Sequence, residues 1–71
     1  MTNSPLVFPA NIVATMKAAL ETAVEHINVD RRTTATKVKM AERIIEMATD
    51  GVTNTDELVE AAVREGIRKV A

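Results

Sequence analysis

Two interruptions decide what this chain can fold into. The polar stretches NVDRR (28–32) and TDGVTN (49–54) divide it into three segments. Within each segment the apolar residues recur every three or four positions. That is the period of an amphipathic helix and not of a strand.

In the first segment the repeat runs through Ile12, Met16, Ala19, Leu20, Ala23, Val24 and Ile27. Pro9 suits a first helical turn, where a missing N–H costs nothing, and Asn11 is an alternative cap. The spacing predicts a helix over 9–28. In the second, Val38, Met40, Ala41, Ile44, Ile45, Met47 and Ala48 predict a helix over 34–49. Thr33 or Thr34 caps it, and Gly51 stops it. In the third, Thr53, Asn54 or Thr55 precedes a helix over 55–70. Its acidic start (Asp56, Glu57) and basic end (Arg64, Arg68, Lys69) both suit the helix dipole. The expected fold is an all-α three-helix bundle over 9–71, behind an N-terminal tail at 1–8.

The chain has 71 residues, enough for one domain. With no cysteine and one histidine, neither a disulfide nor a structural zinc site can staple it. Helix packing or self-association must do so instead. The N-terminus lacks the basic start and unbroken apolar run of a signal peptide. No apolar stretch approaches the roughly 18–20 residues of a membrane span. A cytoplasmic protein is expected.

On a helical wheel the apolar arc of the first helix spans roughly 140°, and those of the second and third about 180°. A small bundle needs little more than about 100°. On the second helix, Val38, Ala41, Ile45 and Ala48 form one flank, with Val38 read as facing the core. Met40, Ile44 and Met47 form the other. If this helix is central, touching both neighbours, the width is explained. Otherwise the surplus meets a partner. The candidate interface is Val38, Met40, Ile44, Met47, Val59, Val63 and Ile67, with a homodimer or another protein as the expected partner. Met40→Glu is expected to weaken association and leave the helices folded.

Candidate chemistry is sparse. His26 lies near a helix C-terminus, where the dipole favours it. No cysteine or tyrosine is present to serve as a nucleophile, and the one serine, Ser4, is in the tail. The carboxylate pairs Glu21/Glu25 and Glu42/Glu46 read as solvated faces. With two glycines in all, Gly51 and Gly66, there is no phosphate loop. The expectation is a non-enzymatic protein with no cofactor, metal or small-molecule substrate.

The alternative is a DNA-binding or antitoxin-type regulator. Residues 42–63 have a helix-turn-helix outline. Arg31, Arg32, Lys37, Lys39 and Arg43 could form a basic flank. Against this, the third helix leads with Asp56, Glu57 and Glu60, and the formal net charge is -1. Affinity for DNA rests first on cations at phosphates. Base stacking needs aromatic platforms, and Phe8 is the only aromatic residue.

The stretch from Thr33 to about Glu65 resembles a pattern in small uncharacterised bacterial helical proteins. There a Thr-capped helix with an A-x-R-I core (Ala41, Arg43, Ile44) ends in an A-x-x-G stop (Ala48, Gly51). A short acidic-start helix with a leucine anchor follows (Asp56, Leu58). The resemblance implies a helical fold and no particular activity.

Overall fold

The computed structural model describes residues 8–68. Within them lie three helices: α1 (Ala10–Glu25), α2 (Thr34–Thr49) and α3 (Thr55–Gly66). A single 3-10 turn at Val29–Arg31 joins the first two. The chain is therefore an all-helical three-helix bundle. Most of the expected tail, and the residues beyond Arg68, lie outside the described region; Phe8 is partly buried.

Each boundary has a local cause. Pro9 sits just before α1, and its carbonyl accepts the N–H groups of Ile12 and Val13. Asn11 lies inside the helix and caps nothing. α1 stops at Glu25, three residues earlier than the period predicts. The carbonyls of Glu25 and Ile27 accept from the Arg32 guanidinium at 3.1 and 3.2 Å, and Thr22 O is bonded by His26 Nδ1 at 2.8 Å. The Ala23 and Val24 carbonyls accept from the N–H groups of His26 and Ile27, and these two side chains serve the carbonyls on either side. At α2, Thr33 is the cap, its Oγ1 accepting from the Thr36 N–H. At α3, Asn54 is the cap, its Oδ1 accepting from the Glu57 N–H. Gly51, at φ 95°, ends α2. Its N–H bonds to Ala48 O and that of Val52 to Met47 O, a Schellman arrangement whose outer residues, Val52 and Met47, both pack on the core.

The core is small and rich in alanine. Ala19, Ala23, Ile27, Met40, Ile44, Ala48, Leu58 and Ala62 are buried, and of these Met40, Ile44 and Leu58 are the largest fully buried side chains. Alanine on facing helices lets the backbones approach closely. The central helix is α3: it packs extensively on both neighbours, whereas α1 and α2 touch each other much less. The second helix is therefore not the central one, and a central position does not explain the width of its apolar arc. The start of α2 (Ala35, Thr36, Lys39) lies beside the end of α3 (Glu65, Gly66, Arg68), so these two helices run antiparallel.

Candidate functional site

The rotation of α2 corrects the expected surface. Met40 and Ile44 are in the core and unavailable to a partner. Met47, Val59 and Val63 are partly buried and pack against that core. Val38, expected to face inward, is 49% exposed, and Ile67 at the α3 C-terminus is equally so. The flank that faces the core is Met40, Ile44, Met47 and Ala48. Val38, Ala41 and Ile45 remain on the other side.

Three seams join the helices. At the α1/α3 seam, Thr22 and His26 border a shallow hollow with Thr55, Asp56, Val59 and Val63. At the α2/α3 seam, Lys39, Arg43 and Glu46 border an open groove with Glu57, Ala61 and Arg64. This groove is densely charged, so the expected apolar surface on helices 2 and 3 is not at their junction. The flanks of α1 and α2 turned away from those residues border the third seam. At 100° per residue they carry Val13, Leu20 and Val24 on α1, and Val38, Ala41 and Ile45 on α2. Val13 is 36% exposed, and the four residues other than Val13 and Val38 are partly buried. The α1/α2 seam is thus the least closed and the most aliphatic.

Charge gathers elsewhere. Lys39, Arg43, Arg64 and Arg68 line the α2/α3 groove, and Arg31 joins Lys39 and Arg68 around a hollow beside Gly66. Arg64 and Arg68 were not part of the sequence-derived flank; the antiparallel pairing of α2 and α3 brings them to it. Arg32 departs from that flank, because its guanidinium is engaged by the α1 carbonyls. Lys37 is exposed. Arg43 pairs with Glu46 at 3.0 Å, Arg64 with Glu60 at 3.6 Å and Arg68 with Glu65 at 3.7 Å. The first two pairs are largely solvated and the third has its cation exposed; such surface pairs are worth roughly 0.2–1 kcal/mol each.

Among the described residues, no group of three His, Cys, Asp or Glu side chains could hold a metal ion. No helix among them is long and apolar enough to cross a membrane. Comparison with protein-family models, curated proteins and solved structures finds no match to this chain.

Proposed function

We propose that this chain is a non-enzymatic helical interaction module, acting in the cytoplasm, that binds a protein surface through its α1/α2 seam. The observation that carries this reading is the aliphatic edge from Val13 to Val38 along the loosest of the three seams. Charged and polar side chains border the other two. A core with three large fully buried side chains also gains much from further burial. Full burial of an exposed aliphatic side chain contributes about 1.5–3 kcal/mol, and covering Val13 or Val38, 36% and 49% exposed, contributes the corresponding fraction. Among the described residues no charged side chain is buried.

Site-specific photocrosslinking in the native cell tests the reading. A benzophenone side chain at Val38 is expected to give a discrete protein adduct, and one at Glu60, on the outer face of α3, is not. Adducts from neither position, or equally from both, would remove it.

A second reading, a DNA-binding or antitoxin-type regulator, has one observation in its favour. Arg64 and Arg68 reinforce Arg31 and Lys39 at one end of the bundle. Salt-dependent retention on DNA that disappears when Arg31, Lys39 and Arg68 are replaced by Ala would support it. No retention at low salt would dismiss it.

A further inference from the structure

We infer that the surface seated on the α1/α2 seam is a second copy of this chain, with α1 packed antiparallel on α1 of the partner. The twofold axis passes between Lys17 and Glu21. The inference rests on the seam reading above and adds the identity of the partner.

Helix α1 is undercharged for a surface helix. It carries three charged residues in sixteen (Lys17, Glu21, Glu25), against five in the sixteen of α2 and five in the twelve of α3. Its solvent-facing positions include Ala10, Ala14 and Ala18, all exposed. A helix that is weakly polar around most of its circumference belongs against another element. In this bundle only its α3 side is well covered.

Two of the three charges on α1, Lys17 and Glu21, match their own mirror order. Lys17 lies at the solvent edge of the seam flank, one turn after Val13 and three residues before Leu20. Glu21 stands one turn further on, beside the same flank. Both are exposed, and neither makes an ion pair among the described residues. In a twofold pair every contact occurs twice with the roles exchanged. An antiparallel α1 pair therefore sets Lys17 against the partner's Glu21, and Glu21 against the partner's Lys17. The same axis brings Val13, four residues before Lys17, beside the partner's Val24, three after Glu21. Charge and apolar contacts thus share one register. Val38 and Ile45, along the edge of α2, extend the covered surface.

Sedimentation of the full chain tests this, with circular dichroism to confirm that each variant is folded. The wild type is expected to dimerise by high micromolar concentration. K17E and E21K each place like charges opposite one another twice, and are each expected to weaken association about tenfold at low salt. An equimolar mixture of the two variants restores opposite charges at both positions and is expected to regain the dimer. The K17E/E21K double variant restores them within one chain and is expected to do the same. A wild-type chain that stays monomeric overturns the inference, while the Val38 crosslink still decides the seam reading separately. A dimer indifferent to these charge changes overturns the inference equally.

Discussion

The thioether of Met40 fills the space that a side chain at position 66 would need. A Cβ built on Gly66 would lie 2.9 Å from Met40 Sδ and 3.2 Å from Ile27 Cγ2. This contact ties the end of α3 to the first half of α2 and to Ile27, two residues after α1, so one point fixes three elements. Gly66→Leu is expected to destabilise the fold by about 1–3 kcal/mol through overpacking. In a domain of this size each kcal/mol lowers the melting temperature by roughly 4–8 °C. Shortening the opposing residue should relieve the clash. The Met40→Ala/Gly66→Leu pair is therefore expected to lose less than the sum of its singles, measured as a double-mutant cycle. Additive losses would show that Met40 does not set the approach.

The caps offer a test by contrast. Thr33 and Asn54 each accept a backbone N–H from the first turn of the helix they precede. Thr33→Ala and Asn54→Ala are each expected to cost about 1 kcal/mol, read from chemical denaturation. Thr34→Ala and Thr53→Ala remove hydroxyls with no such role and should stay within about 0.5 kcal/mol.

The three helices, the glycine stop and the two capping regions were legible in the sequence, because each is a local matter of period and backbone bonding. The rotation of α2 was not. Its apolar residues cover about half the wheel, so the period allows either flank to turn inward. The choice falls to residues far away in the chain: Gly66 receives Met40, and the start of α2 lies along the end of α3. The same distance hid the meeting of Lys39 with Arg68, 29 residues apart. The end of α1 depends on a nearer contact that the helical period also does not show. Arg32 reaches back to Ile27 and Glu25 only once the 3-10 turn has reversed the chain.

Val38 and Met40 separate surface from core on one helix. They are two residues apart, one 49% exposed and the other 0%. Met40→Glu would bury a carboxylate with nothing to pair it, at a cost that rivals the whole stability, on the order of 4–10 kcal/mol. The helical circular dichroism signal is expected to collapse, contrary to the expectation from sequence. Val38→Glu should leave that signal intact and weaken association through the seam. A folded Met40→Glu chain would contradict the placement of Met40.

Arg32 and Lys37 separate the capping cation from the solvated one. The Arg32 guanidinium bonds two carbonyls at the end of α1, one of them part-buried. Removing it leaves those acceptors to water at a helix end where the dipole already favours positive charge. Arg32→Ala is expected to cost about 1 kcal/mol in denaturant unfolding. Lys37 is exposed, and Lys37→Ala should stay within about 0.5 kcal/mol. The two changes remove the same charge, so any effect of net charge alone would appear in both. If Arg32→Ala instead leaves stability unchanged and lowers retention on DNA, its guanidinium serves a phosphate and not the helix end, and the second reading gains its strongest support.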